Sequence, residues 1–157
     1  MNTTGIQRFL ADTSLSQKFL LLVGVFMLAS GSAGFAVNSD FSFGETLKSG
    51  QLFGFFDVNG WHNLSIVISG IAALAAALTA RTAFLFLPIF AAVNLVTAVW
   101  AVVDSSVFWI LPIEGPDDIA LHLLVTAQCI GVALVEMRFG RDALVPSAWK
   151  RRETVIA

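Results

Sequence analysis

The fold is decided by Leu52–Arg81, LFGFFDVNGWHNLSIVISGIAALAAALTAR. An aromatic approach (Phe53, Phe55, Phe56) reaches a turn at Asn59 and Gly60, passes a polar cluster at His62 and Asn63, and then runs without a charge to Arg81. About 20 apolar residues cross the roughly 30 Å of bilayer hydrocarbon, so this stretch reads as a membrane-spanning helix that starts at an aqueous face. At a spacing of 55 positions the chain does something similar. Val107–Arg138 reads VFWILPIEGPDDIALHLLVTAQCIGVALVEMR, with Phe108 against Phe53, Ile113 against Val58 and Gly115 against Gly60. One unit used twice is the expectation.

Composition supports lipid as the solvent. The 157 residues are 57% hydrophobic and only 13% charged, against about 25% charged in a soluble chain, and mean hydropathy is +0.81. Such a chain has too few charges to coat a water-facing surface. A net charge of -2 excludes nucleic acid as a partner, because neutralising phosphates needs a basic face. The single Cys129 lies in an apolar run, which excludes an intramolecular disulfide and fits a small buried apolar side chain.

Four apolar spans follow in order, at about 19–37, 61–80, 83–103 and 119–135, in one domain with a tail over 136–157. Ahead of the first, Ser14 and Gln17 have capping-box spacing, and Ile6, Phe9 and Leu10 suit a lipid interface. Arg8 and Lys18 before this run and small residues after it resemble a secretory signal, but the long polar lead with Asp12 and the further spans favour a retained helix. Ala29 and Ala33, with Ser30 and Gly34, put small residues four apart for close helix contact. The Phe-rich segment from Asn38 to Asn59 is too aromatic for a solvated loop, so part of it is expected on the bundle or among headgroups.

In the second span Ser65, Ser69, Ala73 and Ala77 form a small-residue ladder, which places that helix at the bundle centre. Arg81 and Thr82 read as a short turn, making the second and third spans antiparallel neighbours. Pro88 is expected to kink the third span.

The basic residues fix an orientation. Arg8, Lys18, Arg81, Arg138, Arg141, Lys150, Arg151 and Arg152 fall on one side of a four-span scheme and only Lys48 on the other. By the positive-inside rule both termini are cytoplasmic, and the basic tail with Trp149 suits anionic lipid. The fold class is therefore an all-α integral membrane protein, a four-helix transmembrane bundle of two repeated helix pairs.

Two groups of residues have chemical potential. Asp57, Asn59, His62 and Asn63 open the second span, and Glu114, Asp117, Asp118 and His122 open the fourth. Asp118 and His122, four apart, share a helical face, so the carboxylate can orient the imidazole. Three uses fit this outer-face cluster: capping by Asn59, Asp117 and Asp118, a divalent metal, or a ligand or proton-linked site. Two imidazoles also raise haem ligation. However, His62 aligns with Asp117 and His122 with Val67 in the repeat, a depth difference of about 7 Å at 1.5 Å per residue, which opposes symmetric ligation. Neither metal nor cofactor is expected. The second group is a midplane pair, Asn94 and Gln128, which would hydrogen-bond between helices. No phosphate-binding loop, HExxH or nucleophile elbow is present.

At VNGWHNLSIVISG and LPIEGPDDIALHLL the chain resembles a family of uncharacterised bacterial four-helix membrane proteins, domain of unknown function number 4383. The family's pattern is met at Val58, Asn59, Gly60, His62, Asn63, Gly70, Asp117, Asp118, Leu121 and His122, within a resemblance covering 19–138. A further histidine of the pattern is replaced by Leu64, Ser65 and Ile66, and Glu114 stands for its second Asn; both departures oppose a shared metal or haem site. The resemblance implies a bacterial inner membrane and supplies no activity.

The expected function is that of a small non-catalytic accessory or interaction subunit, in contact with the bilayer and with a membrane-protein partner or a second copy of itself. The alternatives are a transporter or ligand-binding protein with an outer-face polar vestibule, and a haem or quinone oxidoreductase.

Overall fold

The computed structural model describes residues 13–140. The interfacial reading of Ile6, Phe9 and Leu10 and the basic tail from Arg141 to Arg152 with Trp149 lie outside the described residues. Four helices carry the fold: α1 (Leu15–Val37), α2 (Gly60–Ala76), α3 (Ala80–Val103) and α4 (Pro116–Phe139). Three of them, α1, α3 and α4, are long and apolar enough to cross a membrane, while α2 is a shorter apolar helix.

Helix α1 starts on the expected box: Ser14 accepts from the Gln17 amide, and the Gln17 side chain accepts in turn from the Ser14 amide. Helices α1 and α2 form one tight antiparallel pair, and α3 and α4 form another. The first pair closes on glycine. A Cβ on Gly70 would stand 3.0 Å from the Gly24 carbonyl oxygen and from the Leu28 nitrogen, and one on Gly34 would collide with the Asn63 amide. Any larger side chain at these crossings would push the helices apart.

Three expectations are corrected. Ala29 and Ala33 point outward, while Ser30 and Gly34, with Gly24 and Gly31, form the buried stripe; one helical face faces the partner, and it is the glycine face. Helix α2 packs chiefly on α1 and only slightly on α3, with Ile68 and Ile71 exposed, so it is not central. Arg81 and Thr82 belong to the first turn of α3. The turn ends at Thr79, whose side chain accepts from the Thr82 amide at 3.1 Å, while the Thr82 hydroxyl donates to the Ala76 carbonyl at 2.6 Å. Helix α3 runs unbroken through Pro88, whose missing N–H leaves the Phe84 carbonyl without its helical donor.

The connections at the other end hold short strands. β1 (Gly50–Leu52) pairs antiparallel with β2 (Phe56–Val58), and β3 (Ser106–Val107) with β4 (Leu111–Pro112). Each hairpin turns on two residues in the left-handed region, Phe53 (φ 57°) and Gly54 (φ 79°) in one, Phe108 (φ 52°) and Trp109 (φ 59°) in the other. This is the pattern of a type I′ turn, for which Asn and Gly are the usual residues. The rings of Phe53 and Trp109 are exposed. As expected, part of the aromatic segment lies on the bundle: the Phe41 ring meets Trp61 edge to face at 5.1 Å, and the Trp61 indole donates to the Phe41 carbonyl at 2.9 Å.

The hairpins join the two helix pairs. The Asp57 carboxylate on β2 accepts from the amides of Glu114 (2.8 Å) and Gly115 (3.1 Å) at the start of α4, and the Asn59 side chain donates to the Ile110 carbonyl at 2.8 Å. At the opposite end the buried Glu136 carboxylate of α4 accepts from the amide and hydroxyl of Ser16 on α1. Between these ties a core of Leu20, Ala73, Leu87, Phe90 and Cys129 fills the bundle, and the thiol is buried as expected.

A candidate ligand cavity between the helix pairs

Asn59 caps α2 as expected, its oxygen accepting from the His62 amide at 2.8 Å. That fixes the first turn and directs the His62 ring inward, where Nδ1 meets the Asp57 main-chain carbonyl. A carbonyl only accepts, so Nδ1 carries the proton and Nε2 of the neutral ring keeps a lone pair. On α4, His122 and Asp118 share a face as the spacing implies, with Nε2 and Oδ1 3.7 Å apart. His122 Nδ1 lies 3.0 Å from Asn94 Oδ1, and the Asn94 amide nitrogen donates to the Phe90 carbonyl at 2.9 Å. His122 is therefore the donor to Asn94, and its Nε2 also keeps a lone pair.

The two imidazoles come together despite their different positions along the helices, with centroids 6.3 Å apart and planes within 18°. Asp118 is 1% exposed, and among the described residues neither its Oδ2 nor His122 Nε2 has a hydrogen-bond partner. Buried polar atoms are nearly always paired, so an unpaired carboxylate oxygen beside an unpaired ring nitrogen marks a place where a partner is wanted.

These side chains line one end of a cavity of about 300 Å³. Its walls are apolar and come from all four helices and the first hairpin, including Met27, Val58, Ile66, Phe90 and Val125. Phe26 on α1 and Leu124 on α4 flank it and are 54% and 53% exposed. Phe26 is the central residue of α1, and Leu124 with Gln128 lies near the middle of α4, so the cavity opens sideways at mid-helix depth.

The expected cluster is partly assembled. Asp57, Asn59, His62, Asp118 and His122 come together; Asn63 lies apart, buried against α1 and donating to the Asn38 carbonyl at 2.8 Å. Asp117 is exposed, and neither it nor Asp118 caps α4, whose cap position is Gly115 followed by Pro116. The midplane pair does not hydrogen-bond: Asn94 bonds to His122, and Gln128 is exposed at the rim of the same cavity. Asn94 therefore belongs to the histidine site, a placement that depends on the rotation of α3 against α4 and has no sequence signal. Among the described residues no three His, Cys, Asp or Glu side chains converge as a metal would require.

Apolar helices of spanning length around a polar-ended cavity define a small all-α membrane protein. The chain belongs to the family described as domain of unknown function (DUF4383), matched over residues 17–135. No curated protein and no solved structure matches it.

Proposed function

We infer that this protein binds a lipid-soluble small molecule in the cavity between its two helix pairs, as a four-span protein of the bacterial inner membrane with both termini cytoplasmic. The observation that carries the reading is the cavity itself, apolar along its walls, polar at one end and open at mid-helix depth, where the surroundings of a spanning bundle are acyl chains. A ligand arriving there comes from the membrane. Apolar walls with a few convergent polar groups are the usual makeup of a small-molecule site.

Four spans are supported by the 17 residues of α2, the lower end of the range for a crossing helix. Duplication of one helix–hairpin–helix unit is supported by the matching left-handed turns at Phe53 and Phe108. The orientation is supported by Lys18, Arg81 and Arg138 at the end of the bundle away from the hairpins, against Lys48 at the hairpin end. This reading takes precedence over an accessory subunit because exposed apolar helix faces are what any lipid-facing surface presents, whereas a cavity with buried polar groups at one end is specific.

The test is extraction. Protein purified in mild detergent is denatured with organic solvent and the released lipophiles are measured by mass spectrometry. One species should be retained in near-stoichiometric amount and be absent from Ile66→Trp, which fills the cavity. Retention of bulk lipid only, or equal retention by the filled variant, overturns the reading.

A further inference from the structure

We propose that the ligand's polar head is an ammonium group, so that the cavity selects a lipophilic amine; this rests on the cavity reading above. Two buried atoms at the polar end have no partner among the described residues, Asp118 Oδ2 and His122 Nε2, and His62, on the same cavity, keeps a lone pair on Nε2 because its Nδ1 bonds to the Asp57 carbonyl. A primary ammonium has three N–H donors and supplies the positive charge that a buried carboxylate requires. A hydroxyl head brings one donor and no charge, leaving one of the two acceptors unmet. A carboxylate or phosphate head brings only acceptors, and among the described residues no Lys or Arg lines the cavity to receive it.

The surroundings favour the same sign. Asp57, buried behind His62, adds a second carboxylate, and its own bonds go to the Glu114 and Gly115 amides. Asp40, Glu45, Asp104, Glu114 and Asp117 lie at the same end of the bundle. Among the described residues Lys48 is the one basic residue there, with a mostly exposed side chain 3.4 Å from Asp40. A field of this sign draws cations to the site.

The experiment compares heads on one tail. Full-length protein in a zwitterionic detergent is titrated with decylamine, decanol, sodium decanoate and decyltrimethylammonium, followed by saturation-transfer NMR. Decylamine should bind at least tenfold tighter than decanol and decanoate, and tighter than decyltrimethylammonium, which has the charge without N–H donors. Asp118→Asn should weaken decylamine at least tenfold while the exposed Asp117→Asn leaves it unchanged. Decanol or decanoate binding as tightly as decylamine, or an undiminished Asp118→Asn, overturns the ammonium head. The ranking on the unaltered protein decides even where Asp118→Asn does not fold. Leu124→Trp, at the exposed mouth, separates the two readings. If another head wins and Leu124→Trp abolishes its binding, the cavity stands and the amine falls; if no probe binds, or Leu124→Trp changes nothing, both fall.

Discussion

Replacing Gly34 by Ala reverses the sign that helix propensity assigns. In a helix interior Gly→Ala ordinarily gains about 1 kcal/mol. Here the added methyl meets the Asn63 amide across the α1–α2 contact. The amide must move, which breaks its 2.8 Å bond to the Asn38 carbonyl and leaves a fully buried side chain without a partner, a cost of about 1–3 kcal/mol. Overpacking adds about 1–3 kcal/mol. After the propensity gain, the net loss is about 3 kcal/mol. Removing the obstruction by Asn63→Ala should let Gly34→Ala be neutral or stabilising, so a double-mutant cycle should show coupling of about 3 kcal/mol or more. Reversible unfolding of the purified protein in mixed micelles with increasing SDS measures all four corners. A Gly34→Ala variant as stable as the parent, or additive effects, would refute the close contact at this crossing.

Three further outcomes are expected in the same assay. Glu136→Ala should cost about 2–4 kcal/mol, because a buried carboxylate accepting two bonds from Ser16 is worth more than a neutral pair; a loss under about 1 kcal/mol contradicts the tie between α4 and α1. Asp57→Ala should cost about 3 kcal/mol through the amides of Glu114 and Gly115, and should weaken ligand binding as the start of α4, which carries Asp118 and His122, loses its tie to the hairpin; unchanged binding would separate the hairpins from the site. Thr79→Ala should cost about 1 kcal/mol as a lost helix cap, whereas Thr79→Ser should be near neutral.

Much of the scaffold was readable in the residues because its causes are local. Spans follow from runs of apolar side chains, Ser14 with Gln17 and Asn59 with His62 follow from cap chemistry, and the Asp118–His122 pair follows from helical periodicity. What was not readable depends on distant partners. Pairings of two or three residues leave no alternation to detect, so the hairpins were hidden in what looked like loop. Gln128 and Asn94 each sit near the middle of an apolar run, but such a position sets neither the register of two helices nor the face each presents, and only packing turns Asn94 toward His122. Glu136 looked like the first residue of a polar tail, because its partner, Ser16, lies at the far end of the chain. Thr79 could have been found: a threonine three residues before Thr82 has cap spacing, but the apolar run around it drew the span too far.

The ties at the two ends have a mechanical consequence. Asp57 holds the start of α4 to the first hairpin, and Glu136 holds its other end to Ser16, while the gap beside Phe26 and Leu124 lies between them. The molecule resembles a cask hooped at both rims with one seam left unglued amidships. Side chains along that seam can part to admit a guest without loosening either hoop, so passage in and out need not compete with the stability of the whole.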